Sequence, residues 1–320
     1  MKNLNDNINT AIVPPNFSII PKDTAVGSAA LTGILRGLKE RFPFLTMGEY
    51  GYSAMGKPLY YLKFGEGGNR ALYTAAHHAN EYITIPVLLK FTEQLSNAYA
   101  AKSEIAGVSA EEIFRKSTLY IVPCVNPDGV DLASGALASG AYYLQAKELA
   151  EKYPEIPFPG GWKANIRGID LNLQYPAGWE TAKSIKRAQG ISGPGPRDYA
   201  GASPLEAPES LALYHFTLGV DPGLILAYHS QGGLIYWKYS DFEPPRSREL
   251  AQRFAQLSGY SAEETPYVSG HAGYKDWFIE RFNRPGYTIE VGEGENPLPN
   301  EQLGSIYEAN LGILLGAALF

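Results

Sequence analysis

The chain has 320 residues, of which 45% are hydrophobic and 12% aromatic, and it carries a net charge of −6. This size and hydrophobic content suffice for one large folded core. The acidic balance, without any run of Lys or Arg, argues against a protein that binds nucleic acid. The single cysteine, Cys124, excludes an internal disulfide, and its apolar surroundings in the sequence are typical of a buried, inert thiol.

The beginning of the sequence lacks the basic start and apolar core of a secretory signal. No apolar run reaches the roughly 18–20 residues that a membrane-spanning helix needs. We therefore expect a cytoplasmic protein without a membrane partner. We expect it to form one catalytic domain over residues 1–320, with residues 1–21 as a lead-in segment; the sequence does not indicate an oligomeric state.

Hydrophobic periodicity and turn signals predict strands that alternate with helices. This alternation is typical of an α/β fold with a mixed, mainly parallel sheet and helices on both faces. Between about residues 131 and 207 the pattern is irregular, with short helical pieces such as 146–152, and we expect long loops over one face of the sheet, where binding residues concentrate. The other predicted elements are, in chain order, a helix at 28–40, strands at 44–52, 58–64 and 71–76, a helix at 83–95, a strand at 118–125, a turn at 126–129, a helix at 206–219, a strand at 224–228, helices at 246–258 and around 277–281, a strand at 287–291 and a helix at 301–320.

His78 and Glu81 lie at the junction between a predicted strand and the helix that follows it. Both side chains can project from one turn at the carboxyl end of a strand, where open α/β sheets place their chemistry. His229 comes directly after another apolar strand. Two histidines and a glutamate form the ligand set of a catalytic zinc whose fourth position is left for water. Taken alone, the spacing of His78 and Glu81 could arise by chance, and His229 could equally be a satisfied core histidine.

Two further carboxylates favour the metal interpretation. Glu290 lies inside an apolar strand, where a carboxylate is costly unless it is exposed at the strand end or paired. Asp170 lies in a segment in which polar and apolar residues alternate. Both acids follow apolar runs, as functional groups at strand ends do.

Five segments, taken together, resemble the zinc carboxypeptidase family, the carboxypeptidase A-like metallopeptidases. They occur in the family's order and cover roughly residues 45–320. The resemblance implies an eight-stranded mixed sheet, one zinc ion bound by His78, Glu81 and His229, and Glu290 as the general base. The five segments are His78-Ala79-Asn80-Glu81, Asn126-Pro127-Asp128-Gly129, Gly168-Ile169-Asp170-Leu171-Asn172, Tyr228-His229-Ser230 and Ile289-Glu290.

The resemblance also suggests roles for residues around the metal. Asp170 matches the carboxylate that accepts a hydrogen bond from the first zinc histidine, which would fix the orientation of His78; the alternative is a turn or cap residue. The oxyanion needs a cationic partner, and spacing does not separate Lys163 from Arg167 for this role. Tyr267 resembles the mobile tyrosine that closes over substrate, although it could be a packed loop aromatic.

The sequence departs from the common carboxypeptidase pattern after Asn172. Relatives usually place an arginine next, and the two residues bind the terminal carboxylate of the substrate. Here Leu173 follows Asn172, and leucine cannot pair with a carboxylate. Segments 162–172, 174–179 and 228–232 resemble instead the γ-D-glutamyl-L-diamino acid peptidases, which cut peptidoglycan stem peptides between γ-linked D-glutamate and diaminopimelate or lysine.

We therefore expect a zinc-dependent peptidase that acts on stem peptides or muropeptides. Lys275 occupies a position that sets side-chain preference in relatives and would favour a diaminopimelate carboxylate, unless it is a surface lysine. Asn172 and His271 are further substrate-binding candidates. The alternatives are a carboxypeptidase of broader specificity that reads the terminal carboxylate with Lys163 or Arg167, a zinc amidohydrolase that acts on acylated amino acids, and a non-catalytic binding module.

Overall fold

The computed structural model describes residues 18–21 and 26–320. The predicted lead-in, residues 1–21, lies outside the described residues except for positions 18–21. The helices are α1 Ser28–Arg41, α2 Thr84–Ala100, α3 Ala110–Lys116, α4 Pro127–Ala133, α5 Ala141–Ala150, α6 Trp179–Ala188, α7 Pro208–Val220, α8 Ser247–Ser258, α9 Tyr274–Phe282 and α10 Leu303–Ala318. The strands are β1 Thr46–Tyr52, β2 Pro58–Phe64, β3 Asn69–Ala75, β4 Glu104–Ile105, β5 Val108–Ser109, β6 Ser117–Val122, β7 Leu224–His229, β8 Leu234–Tyr236, β9 Ser261–Glu263 and β10 Gly286–Glu290.

Eight of the strands form one sheet in the order β1-β2-β6-β3-β7-β10-β8-β9. Its centre is parallel, because β6, β3, β7 and β10 run in the same direction. The hairpin β1–β2 is antiparallel at one side, and β8 is antiparallel to β10 at the other. The predicted α/β fold, with a mixed and mainly parallel eight-stranded sheet, is confirmed.

Helices cover both faces of this sheet, as predicted. Successive side chains of a strand point to opposite faces. Tyr73 and Leu226 accordingly pack into one core with α1, α2, α8 and α10, whereas Leu72 and Ile225 pack into a second core with α7 and α9. Burial on both faces explains why the central strands are continuous apolar runs in the sequence.

The last helix, α10, is part of the first core, since Ile313 and Leu314 are fully buried there. Its predicted role as a core helix is consistent with this packing. Within the described ranges, none of the helices combines the length and apolarity that crossing a bilayer requires. Cys124 is also buried, and burial raises the pKa of its thiol far above the usual range, which keeps it protonated and unreactive.

One local prediction was wrong. The segment Asn126-Pro127-Asp128-Gly129, predicted as a turn, begins helix α4. The Asn126 side chain accepts a hydrogen bond from the Gly129 N–H at 3.0 Å, and Pro127 occupies the first helical turn, where its missing N–H costs nothing. Between about residues 131 and 207, where we expect long loops with short helical pieces, the structure has helices α5 and α6 between irregular segments.

The parallel strands place three predicted residues at one edge of the sheet. Strand β3 ends at Ala75, just before the segment that carries His78, and Ala75 is paired with Tyr228 of β7. His229, the last residue of β7, is paired with Glu290, the last residue of β10. The carboxyl ends of these neighbouring strands therefore meet, and the candidate site lies there.

Candidate active site

The turn between β3 and α2 is built around an unusual backbone conformation. Ala76 adopts φ of 51°, in the left-handed region that residues other than glycine rarely occupy. Its N–H donates to Thr84 Oγ1 at 3.1 Å, and its carbonyl accepts from the Asn126 N–H at 3.1 Å. These contacts hold the chain in the geometry that directs His78 and Glu81 to the same place.

Three buried side chains converge at this turn. His78 Nδ1 lies 2.9 Å from Glu81 Oε1, and His229 Nδ1 lies 2.8 Å from Glu81 Oε2. The two Nδ1 atoms are 3.0 Å apart. One ligand atom from each residue lies within 4.8 Å of the others, so the group could hold a metal ion.

The protonation of this group fits a cation. Burial alone would raise the pKa of Asp170, but His78 and Lys163 lower it well below its usual value, so Asp170 is an ionised acceptor. In neutral His78, the form that can bind a metal ion, Nε2 lies 3.0 Å from Asp170 Oδ1 and donates to it, which leaves Nδ1 with a lone pair. That lone pair faces the Glu81 carboxylate and His229 Nδ1. A cation between these groups would remove the repulsion between the lone pair and the negative carboxylate. Two imidazoles and one carboxylate are a typical set of zinc ligands.

The charges of the ligand group are shaped by burial and by each other. Burial alone would lower the pKa of His78, but the carboxylates of Glu81 and Asp170 raise it to about 9, so a cation between the ligands would take the place of the second ring proton. Burial alone would raise the pKa of Glu81, but the two histidines and Lys163 hold it well below its ordinary value. Glu81 therefore keeps its negative charge, as a ligand for a cation requires.

Glu290 stands beside these residues at the end of β10. It is partly buried and lines the same cavity as His78. Burial and the nearby Glu81 carboxylate raise the pKa of Glu290 to about 8. A carboxyl group with such a pKa can both take and return a proton near neutral pH.

The cavity next to this group has a volume of about 150 Å³. It brings together most of the residues that the sequence singled out. The predicted residues that line it are His78, Lys163, Asp170, Asn172, Lys275 and Glu290.

Lys163 and Arg167, the two candidates for the oxyanion partner, lie in different environments. Lys163 Nζ is 3.7 Å from Glu81 Oε1. Burial would lower the pKa of Lys163, but Glu81 and Asp170 raise it, so its ammonium group stays charged. Arg167 is exposed and is not among the residues that line the cavity. The structure thus brings Lys163, and not Arg167, to the site.

Tyr267 and His271 lie beside the cavity rather than in its wall. Tyr267 is 70% exposed on a short 3₁₀ helix, Tyr267–Ser269. Its ring meets that of His271 edge to face, with the ring centroids 4.8 Å apart. Both residues line a neighbouring cavity of about 130 Å³ together with Tyr239.

Lys275 is buried, which excludes the alternative of a surface lysine. Its ammonium group lies 2.6 Å from Asp276 Oδ1 and donates to the Lys238 carbonyl at 2.6 Å and to Thr265 Oγ1 at 3.2 Å. The two hydrogen bonds use two of the three ammonium N–H donors, and the Asp276 carboxylate balances the positive charge. Lys275 therefore joins α9 to the segments around residues 238 and 265 as part of an ion pair.

Asn172 connects the metal side of the site to α9. Its backbone N–H donates to Asp170 Oδ1 at 3.1 Å, and its side-chain oxygen accepts from the Tyr274 N–H at 2.9 Å. The Asn172 side chain is thus fixed where it lines the cavity.

Sequence reasoning missed a second charged cluster, formed by Lys186, Arg197 and Asp198. The Asp198 carboxylate lies 2.7 Å from Lys186 Nζ and 2.8 Å from Arg197 Nε, and Asp198 and Lys186 line the cavity. The Asp198 N–H also donates to Asp170 Oδ2 at 3.3 Å. The apolar residues Trp179 and Ala182 have the spacing of a helix that would carry Lys186, but two residues are too few to predict a helix.

Comparison with known proteins agrees with this geometry. The zinc carboxypeptidase family model, Peptidase_M14, matches residues 31–312. Gamma-D-glutamyl-L-diamino acid endopeptidase 1 of Lysinibacillus sphaericus is 40% identical over 282 residues, which is 88% of this chain and 69% of that protein. The uncharacterized protein YqgT of Bacillus subtilis is 38% identical over 308 residues, 95% of this chain and 80% of the relative.

Among solved structures, bovine thrombin-activatable fibrinolysis inhibitor, in complex with tick carboxypeptidase inhibitor, superposes with a TM-score of 0.70 at 19% identity. The match covers 93% of this chain and 97% of that one, and it supports the fold. The family uses one catalytic zinc, and the His78, Glu81 and His229 group could bind such an ion. The chain belongs to the zinc carboxypeptidase family and is a metallopeptidase of that family.

Proposed function

We propose that this protein hydrolyses the γ-D-glutamyl-L-diamino acid bond of peptidoglycan stem peptides. The observation that carries the hydrolytic part is the convergence of His78, Glu81 and His229 within 4.8 Å, with Glu290 at the end of the adjacent strand. The substrate class is supported by the name of the Lysinibacillus relative at 40% identity. It is also supported by Leu173, which stands where a carboxypeptidase would need a cation for a terminal carboxylate.

In this proposal His78, Glu81 and His229 are the zinc ligands. A zinc ion held by these residues would lower the pKa of its bound water to about 7 and would polarise the substrate carbonyl. Asp170 accepts a hydrogen bond from the Nε2–H of His78, so that Nδ1 keeps its lone pair for the ion. The role of Asp170 is therefore to orient a ligand and not to touch the substrate.

Glu290 is the proposed general base. It takes a proton from the attacking water and then delivers it to the nitrogen of the leaving amine, so one carboxyl group serves both steps. Lys163 is the proposed partner of the negative charge that develops on the carbonyl oxygen, because its charged ammonium group lies in the cavity 3.7 Å from Glu81. Tyr267, exposed beside the cavity, is the proposed closing residue.

The remaining candidates contribute to substrate binding in this proposal. Asn172 offers its side-chain amide to the substrate from the wall of the cavity. Lys275 forms an ion pair with Asp276 and is therefore not a free cation. The side chain of diaminopimelate ends in an ammonium and a carboxylate group, which could pair with Asp276 and Lys275, respectively. His271 supports Tyr267 through their ring contact.

The test is to incubate the zinc-loaded protein with two stem peptides and to identify the products by mass spectrometry. The substrates are L-Ala-γ-D-Glu-diaminopimelate and the same peptide extended by D-Ala. We expect release of L-Ala-D-Glu from both, with free diaminopimelate from the first and the diaminopimelyl-D-Ala dipeptide from the second. The matched control is the tripeptide with an α-linked glutamate, which we expect to remain intact.

Other product patterns would support the alternatives. Cleavage of the tripeptide alone would indicate carboxypeptidase-like action. Release of D-Ala from the tetrapeptide, or cleavage of the α-linked control, would indicate a carboxypeptidase of broader specificity. No L-Ala-D-Glu from either stem peptide would contradict the proposed function.

A further inference from the structure

Leu173 packs against the helix α6, which carries a lysine, Lys186, that lines the cavity. Leu173 is 8% exposed and packs in a small cluster with Trp179 and Ala182 of α6. In a helix, residues three and seven positions after a given residue share its face. The face of α6 that packs with Leu173 therefore continues to Lys186, which lines the cavity. The leucine anchors the helix that brings Lys186 to the site.

Asp198 holds two cations together at this place. Its carboxylate is paired with Lys186 Nζ at 2.7 Å and with Arg197 Nε at 2.8 Å. The Lys186 side chain is 14% exposed, whereas that of Arg197 is 47% exposed. Because two positive groups share one carboxylate, the cluster retains a net positive charge.

The cluster is fixed relative to the residues that surround the metal position. The Pro196 carbonyl accepts hydrogen bonds from the N–H groups of Lys163 and Ala164, both at 2.8 Å. The Asp198 N–H donates to Asp170 at 3.3 Å, and the Asp170 N–H donates to the Tyr199 carbonyl at 2.8 Å. Segment 195–199 therefore runs along the metal-site segment and cannot move independently of it.

Free hydrogen-bond donors remain on Arg197. Its bond to Asp198 uses Nε alone, and its terminal nitrogens have no hydrogen-bond partner within residues 18–21 and 26–320. Two other lysines that line the cavity each lie close to a carboxylate, Lys163 to Glu81 and Lys275 to Asp276, whereas Lys186 shares the Asp198 carboxylate with Arg197. A guanidinium group with free terminal nitrogens beside a second cation is suited to bind a carboxylate.

We propose that Lys186 and Arg197 form an anion subsite that binds a substrate carboxylate close to the scissile amide, the function that Leu173 cannot perform. The inference rests on the proposed function, because a γ-linked stem peptide presents such carboxylates on both sides of the bond. One is the free α-carboxylate of D-glutamate, and the others belong to diaminopimelate. The subsite would bind a carboxylate next to the scissile amide, a group that an internal peptide bond between uncharged residues lacks.

The test measures kcat and KM on the stem tripeptide and on versions in which one carboxylate at a time is converted to an amide. Lys186→Met and Arg197→Met remove one positive charge each while keeping side-chain bulk. We expect each to lower kcat/KM on the parent peptide about tenfold to a hundredfold, mainly through KM. On the peptide in which the bound carboxylate is an amide, we expect the wild-type kcat/KM to be low already, and the variants to lower it no further. That peptide identifies which carboxylate is bound.

The control variant is Arg187→Met, which removes an exposed charge from the next position of α6; we expect wild-type kinetics from it. In the double variant Lys186→Met with Asp198→Asn, the Asp198 carboxylate is removed together with its lysine partner. We expect this variant to show the same loss of kcat/KM on the parent peptide, and no further loss on the peptide that lacks the bound carboxylate. Thermal unfolding and zinc content check that each variant is folded and loaded.

Two results separate the failures. Suppose that wild type cleaves the tripeptide, and that the variants either lower kcat/KM by the same factor on every peptide or do not lower it at all. The anion subsite is then wrong, and the proposed function stands. If wild type cleaves none of the γ-linked peptides, the proposed function is wrong and the subsite falls with it.

Discussion

His229 and Glu290 are direct register partners at the ends of the parallel strands β7 and β10. Neighbouring strands lie about 4.8 Å apart, and paired residues project to the same side of the sheet. The distance between a proposed zinc ligand and the proposed base is therefore set by the hydrogen bonds of the sheet and not by a loop. Such support from regular structure keeps a catalytic group close to its working geometry without a cost in reorganisation.

The first prediction concerns Glu290→Gln. Glutamine keeps the size of the side chain but cannot take a proton from water, so we expect kcat to fall by about 10²- to 10⁴-fold. Zinc content, measured on the purified protein, should not change, because the ligand group is intact. Glu280→Gln, an exposed change on α9, is the matched control and should leave kcat unaltered. Loss of zinc together with activity would instead make Glu290 part of the metal site.

The second prediction separates Lys163 from Arg167. Lys163→Met removes the charged group that lies 3.7 Å from Glu81, and we expect kcat to fall by about 10²- to 10³-fold, the effect of losing one donor to a developing oxyanion. Arg167→Met removes an exposed charge only four positions away and should change kcat little. Steady-state kinetics on the stem tripeptide measures both. The reverse order of effects would assign the oxyanion role to Arg167.

The third prediction concerns the hydrogen bond between His78 Nε2 and Asp170. In Asp170→Asn the acceptor loses its charge, and the amide can present a donor to His78, so the ring is held less firmly. We expect zinc affinity to fall by about 10- to 100-fold, measured by competition with a chelator of known affinity. Much of the activity should return at saturating zinc, since all three ligands remain. An unchanged zinc affinity would contradict the orienting role.

Much of this arrangement could be predicted because its determinants are local. The strands that carry or precede His78, His229 and Glu290 are largely apolar, since both of their faces are buried. Strands β7 and β10 end at His229 and Glu290, and β3 ends three residues before His78. A polar group directly after such a run is found at the edge of the sheet where parallel strands end. The order of the sheet was not predictable in this way, because pairing between distant strands leaves no local pattern.

The features that were missed depend on contacts between distant segments. Helix α6 packs only a few apolar residues, and its partner, Leu173, lies outside the helix, so the local pattern was too weak to predict it. The state of Lys275 depends on acceptors at Lys238 and Thr265, which no spacing rule connects to it. Asn126 illustrates a different difficulty, since the same four residue types can form a turn or begin a helix.

The last prediction uses the pH dependence of Asp198. Burial and the nearby Asp170 raise its pKa, but Lys186 and Arg197 outweigh them, so the net shift is downward. A carboxyl group whose pKa is lower in the folded than in the unfolded chain stabilises the fold above its unfolded pKa of about 3.9. That contribution is lost as the pH falls through the folded pKa.

Asp198→Asn should therefore lower the free energy of unfolding at pH 7 by on the order of 1–2 kcal/mol, and the deficit should shrink as the pH is lowered below about 4. Urea unfolding of zinc-free protein at a series of pH values measures it, without any contribution from metal binding. Asp221→Asn breaks a more exposed pair with Arg284 and should have a smaller effect at pH 7. A deficit that stays constant from pH 7 to about pH 2 would mean that the Asp198 charge contributes nothing to stability, and that its hydrogen bonds alone hold segment 195–199 in place.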